Sequence, residues 1–192
     1  MSNSRIVSSF ALILGLGSAL VAGPALAAEP QTSGRPTVVF MCKYGSVKSL
    51  VAAERFNKLA EMRGLSVRAI GRAANPGTIH DEVPEVVARN LALEGSDVSN
   101  YEPKILKPEE AAAAIRVVHI SLQGEPDPDS AVAASVQVPE ERWDDVPTMI
   151  MGPDGKPDQT GRQYNKARSL LVSHVDDLFE EVAKKSNTLV AK

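Results

Sequence analysis

Residues 37–41, Thr-Val-Val-Phe-Met, form an uninterrupted apolar run rich in β-branched side chains, the pattern of a strand buried on both faces. Such a strand needs cover on two sides, which a parallel sheet between helical layers supplies. The period then changes. Past Cys-Lys-Tyr-Gly-Ser-Val-Lys-Ser, the residues Ala52, Phe56, Leu59 and Ala60 share one helical face, and Gly64 is placed to close the helix. Residues 65–70 read as a second strand. Residues 81–93 read as a helix with an acidic start, Pro84 in its first turn and Val83, Val86, Val87, Leu91 and Leu93 as its apolar set. A short alanine-rich helix over 107–114 leads to a third strand over 115–121. Beyond a Pro/Asp loop, a weaker strand is expected at 136–138, followed by an irregular Glu-Arg-Trp-Asp-Asp-Val-Pro stretch and a Pro-Asp-Gly turn at 153–155. A long helix over 161–182 carries Tyr164, Ala167, Leu171, Val175, Leu178 and Val182 as a core-facing stripe. The alternation predicts an α/β fold of three layers, with a mainly parallel four-stranded sheet and helices on both faces.

The amino terminus is a different kind of segment. It has one positive charge at Arg5, an apolar stretch over 10–21, Pro24, and then Ala25-Leu26-Ala27 with small-x-small spacing. This is the form of a secretory signal cleaved after Ala27, and the short apolar stretch argues against an uncleaved anchor. The chain is therefore divided into a signal at 1–27, a flexible leader at 28–35, one globular domain over 36–187 and a tail at 188–192. Export to the periplasm, or secretion, is expected, with no membrane span after cleavage. Lysine plus arginine number 21 against 24 acidic residues, a net charge of −3 with no basic stripe, which gives no footing for nucleic acid.

Export makes the cysteine count informative, because the chain has a single cysteine, Cys42. It has no internal disulfide, and a lone thiol in an oxidising compartment is exposed to oxidation unless buried or employed. Cys42 stands between a buried strand and a helix N-terminus. In parallel sheets that position receives anions, because the first helical N–H groups are unpaired and the helix end is partly positive. The same field favours a thiolate, and Lys43 and Lys48 add positive charge nearby. Gly45 can adopt a left-handed conformation, turning successive N–H groups inward as a nest. The bland alternative is a small buried hydrophobe at a strand end. His80, His119 and His174 lie in a loop, a strand and the last helix without ligand spacing, so no metal site is expected and nothing calls for a cofactor.

Cys42, five residues and then Lys48-Ser49 resemble the phosphate loop of the low-molecular-weight protein tyrosine phosphatase superfamily, which includes the thioredoxin-type arsenate reductases and whose loop reads C-x5-R-S. The likeness continues through Val51-Ala52, Ala69-Ile70-Gly71 after the second strand, Gly95-Ser96-Asp97-Val98-Ser99, and Trp143-Asp144-Asp145-Val146-Pro147 before a long last helix. It spans residues 36–185. The resemblance implies that Cys42 is the nucleophile, that Ser49 hydrogen-bonds its thiolate, and that Lys43, Tyr44, Gly45, Ser46, Val47 and Ser49 form an oxyanion cradle for a phosphate-bearing substrate or small oxyanion. It puts Lys48 in the place of the arginine that clamps two equatorial oxygens. A lysine keeps the charge but loses the planar fork.

The family's general acid is an aspartate directly before a proline in a late loop. Here Val146 precedes Pro147, so Asp145, and after it Asp144, are the candidates; Asp127-Pro128 has the dipeptide but reads as a surface turn. Trp143 reads as packing that anchors this loop. Tyr44 stands where the family has glycine, and either covers the mouth of the loop or packs on the helix of Phe56. Thr148-Met149 replace the tyrosines that wall an aryl phosphate, and one cysteine excludes an internal disulfide relay. Three activities are compatible with these residues: a phosphomonoester hydrolase with a phosphocysteine intermediate, an impaired relative that binds phosphate or arsenate without turnover, and an arsenate reductase using an external thiol.

Overall fold

The computed structural model describes residues 34–74, 77, 79–121, 140–152, 154–158 and 160–190 of the chain. Strand β1 (Thr37–Cys42) leads into α1 (Lys48–Met62), β2 (Arg68–Ala73), α2 (Glu85–Leu93), α3 (Pro108–Ala112), β3 (Arg116–Ile120), β4 (Glu140–Trp143) and α4 (Arg162–Val190). The strands pair in the order β2-β1-β3-β4, and each pairing is parallel. The expected three-layer α/β architecture is what forms.

The period-2 geometry of β1 sorts its side chains between two cores. Val38, Phe40 and Cys42 join α1, α4 and the buried side of α2, whereas Val39 and Met41 pack with Leu106, Ala111 and Ala114 around α3. Phe56 sits at the centre of the larger core, its ring 6.1 Å from Phe40 and 5.2 Å from Phe179. The stripe read on the last helix is buried throughout, from Tyr164 to Val182. Arg55 of α1 holds Asp176 of α4 through two guanidinium hydrogen bonds of 2.8 Å.

Register sets the site. Cys42 lies level with Ala73 of β2 and Ile120 of β3, and Ile120 with Trp143 of β4, so all four carboxyl ends open on one edge. Chain order reverses there, because β1 is flanked by β2 on one side and β3 on the other. Asn57 of α1 reaches the outer side of β2, donating to the Ala69 carbonyl at 3.0 Å and accepting its N–H at 2.6 Å. Farther along the same strand, Ala73 exchanges backbone bonds with Lys104 and Leu106.

The structure departs from the sequence reading in several places, and α4, expected to end at 182, runs on to Val190. The second strand starts at Arg68, not 65, because Leu65 belongs to the end of α1. Its N–H reaches the Ala60 carbonyl while that of Gly64, at φ +62, reaches Glu61, the paired bonds of a Schellman closure. Helix α2 starts at Glu85, not 81, because a residue before proline is pushed out of the helical region, and Pro84 itself is extended at ψ 136. Leu93, placed in that helix's apolar set, is 82% exposed. Glu140–Trp143, read as irregular, is strand β4. The strand expected at 136–138, Asp127-Pro128, the signal and most of the leader lie outside the described residues. Among those residues no helix is long and apolar enough to cross a membrane.

Candidate active site

The loop between β1 and α1 is built around the Cys42 sulfur. The Ser49 hydroxyl lies 3.1 Å from Sγ and the Ser49 N–H donates to it at 3.5 Å, so the first turn of α1 faces the thiol. No side chain caps that helix end and no acidic residue sits in its first turn. Its N–H groups and positive end are therefore directed at whatever the loop holds. Gly45 turns the loop at φ +75 and presses on β2, where an added Cβ would stand 2.9 Å from the Ala73 nitrogen. Tyr101 fixes the turn from outside, its hydroxyl donating to the Gly45 carbonyl at 2.8 Å with the Gly71 carbonyl 3.3 Å away. Burial pushes the Tyr101 pKa up to about 12, reinforced by the charges of Cys42 and Glu54 and opposed by Arg72.

Above the sulfur lies a cavity of about 250 Å³, walled by Cys42 and the loop residues Lys43, Tyr44, Val47 and Lys48, by His80 and Ile120, and by residues 148–151. Ile120, Met149, Ile150 and Met151 make one side apolar. Tyr44 lines the cavity, its ring stacked on that of His80 with centroids 4.3 Å apart and the Lys43 ammonium 5.4 Å from the ring centre.

The remaining expected site residues are distributed as follows. Ser46 is fully buried, and its hydroxyl lies 2.7 Å from Nδ1 of His80. Lys48 is buried in the cavity wall. Its ammonium donates to the carbonyls of Ser121 at 3.1 Å and Val146 at 2.6 Å, which ties the start of α1 to the end of β3 and to the segment after β4. Asp145 and Asp144 do not line the cavity. Asp145 is bound by Nε2 of His174 on α4 at 2.8 and 2.9 Å, and the His174 ring is stacked on Trp143. Asp144 accepts a hydrogen bond from the Ser121 hydroxyl and lies 3.3 Å from Arg142 Nη2. The Ser121 hydroxyl and then Arg142 hold its carboxyl below the usual carboxylate range, the opposite of what a proton donor requires. Trp143 packs on Phe40 at 5.6 Å and is a core residue, as expected.

Sequence reasoning missed two parts of the site. His80 offered no metal-ligand spacing, and only the later start of α2, foreshadowed by Pro84, frees residues 79–84 to reach the loop, where the His80 N–H lies 3.4 Å from the Tyr44 carbonyl. Tyr101 carries no local signal at all. The 148–151 wall was legible at Thr148-Met149, which stand where a substrate wall is expected, and not at Ile150 and Met151. Among the described residues no three His, Cys, Asp or Glu side chains gather as a metal site.

No protein-family model matches the sequence, and no curated protein does. Solved structures match well in shape. YfkJ from Bacillus subtilis superposes with a TM-score of 0.63 at 17% identity, over 79% of this chain and 96% of its own. A low-molecular-weight protein tyrosine phosphatase from T. tengcongensis gives 0.52 at 19% identity, over 76% and 99% of the two chains. An arsenate reductase from Archaeoglobus fulgidus gives 0.50 at 18% identity, over 74% and 98%. The likeness at these identities is one of fold: the chain has the architecture shared by low-molecular-weight protein tyrosine phosphatases and arsenate reductases.

Proposed function

We propose that the protein is an exported phosphomonoester hydrolase that works through a phosphocysteine on Cys42, and that it acts in the periplasm once residues 1–27 are removed. One observation carries the reading: the Cys42 sulfur is held by the hydroxyl and N–H of Ser49 at an uncapped helix N-terminus, on the floor of a cavity large enough for a phosphoryl group. The thiolate attacks phosphorus, and the loop N–H groups and helix end stabilise the charge on the equatorial oxygens. Lys48 contributes positive charge from the wall. Its two carbonyl bonds hold it as a point charge and strut, so the fork of a guanidinium is absent from the transition state.

A second reading, oxyanion binding without turnover, is favoured by the placement of Asp144 and Asp145, both engaged outside the cavity. Arsenate reduction would need an external thiol, since Cys42 is the only cysteine.

The test is p-nitrophenyl phosphate hydrolysis by the reduced protein beside its Cys42→Ser and Lys48→Arg variants. Turnover in the parent that vanishes in Cys42→Ser supports the hydrolase. An inert parent that still binds phosphate establishes the second reading, and a gain in Lys48→Arg would show that the missing fork is what limits it.

A further inference from the structure

A phosphocysteine cycle needs a group that gives a proton to the leaving oxygen and later takes one from water. Among the described residues, those that wall the cavity narrow the candidates. The loop contributes Cys42, Lys43, Tyr44 and Lys48, the β3 end contributes Ile120, and residues 148–151 are Thr, Met, Ile and Met. Of these side chains, one has an ordinary pKa near neutrality and can both give and accept a proton there, the imidazole of His80.

The geometry points to His80 as the proton carrier of the Cys42 site, in the role that the sequence offered to Asp145 and Asp144. The inference rests on the hydrolase reading. The ring is held in two ways: flat against Tyr44, and by the buried Ser46 hydroxyl 2.7 Å from Nδ1. For the exchange to run through Nε2, Nδ1 keeps its proton in both charge states and donates it to the Ser46 hydroxyl oxygen, so Ser46 holds the ring throughout and leaves Nε2 free to give and take a proton. In the first step the Cys42 thiolate forms the P–S bond. The P–O ester bond breaks with its electron pair on the leaving oxygen, which takes the proton from Nε2. In the second step neutral Nε2 removes a proton from water as its oxygen attacks phosphorus, and the P–S pair returns to Cys42 as thiolate. The sum is ester plus water to alcohol plus phosphate.

The charges around the ring set the pH behaviour. Burial lowers the His80 pKa, and Asp81 on its own segment partly opposes this; Cys42, Lys43, Tyr44 and Lys48 share the cavity with it from the loop, and the 148–151 wall brings no titratable group. The donor form therefore grows only as pH falls below the ordinary histidine range, and an acidic optimum follows.

The test compares the parent with His80→Asn, whose amide reaches about as far as Nδ1 and keeps a partner for Ser46. Rapid-quench kinetics are run with p-nitrophenyl phosphate, which needs no acid, and with phenyl phosphate, whose leaving group does. The expected result is a retained p-nitrophenolate burst with steady-state turnover lowered about 10²-fold, a lost burst with phenyl phosphate, and loss of the fall in the phenyl phosphate rate as pH rises through the His80 titration. Four outcomes overturn the proposal. His80→Asn could keep the parent's rates and profile. Both esters could fall by one common factor in burst and steady state, the mark of a merely structural role. The fall in rate with rising pH could disappear in Asp145→Asn instead. A parent with no Cys42-dependent burst at all would remove the hydrolase reading, and this inference with it.

Discussion

Gly45 and Lys48 show how single residues shape the anion loop. An alanine at position 45 would hold a left-handed backbone at about 1–2 kcal/mol and would also collide with the Ala73 backbone. Gly45→Ala is expected to lower the urea midpoint and to weaken phosphate binding, read by titration, more than its stability loss alone accounts for. Gly45 was legible from its place in a C-x5-K-S spacing, because only a backbone argument was needed. Lys48 was legible as a cation in the arginine position, but the bonds from its ammonium to Ser121 and Val146 were not, since they span 73 and 98 residues. Asp145 was misleading for a related reason: its partner, His174, stands on the last helix, 29 residues on.

Elements with strong apolar periods were legible, and the mostly charged strand β4 was not. Strand β4 is Glu-Glu-Arg-Trp at the border of the sheet, with Trp143 buried and Arg142 exposed. Border strands tolerate charge, so alternation gives no warning of them. Helix α3, expected as a short alanine-rich helix, packs Ala111 in the smaller core and is further tied to the sheet by the Arg72–Glu110 pair, with guanidinium bonds of 2.9 and 2.6 Å, a contact that the sequence pattern did not reveal. Burial acts to raise the Glu110 pKa, but Arg72 and the Lys107 N–H overcome it, and the net shift is downward. A carboxyl lowered in the folded state stabilises the protein above its ordinary value of 4.5 and loses that contribution as pH falls through the lowered value. Glu110→Gln should therefore cost about 1–3 kcal/mol near pH 7, and its gap from the parent in denaturant melts should shrink below pH 4.5.

The molecule as a whole depends on one aromatic junction. Phe56 joins β1 to α4 through Phe40 and Phe179, and α1, which carries it, also begins at the anion loop. Phe56→Ala should cost about 3–5 kcal/mol and lower the midpoints of fluorescence and circular dichroism together, as one transition. Splitting of the two probes would show that the halves of the sheet unfold separately. The same helix also decides what the molecule can assemble with. The Asn57 carboxamide imitates the peptide group of a neighbouring strand, occupying both hydrogen-bonding positions of Ala69, and Lys104 and Leu106 do the same for Ala73. An incoming chain finds those template positions already answered, so the β2 flank resists runaway sheet growth among crowded, partly unfolded copies, a safeguard built from one amide rather than from a disulfide.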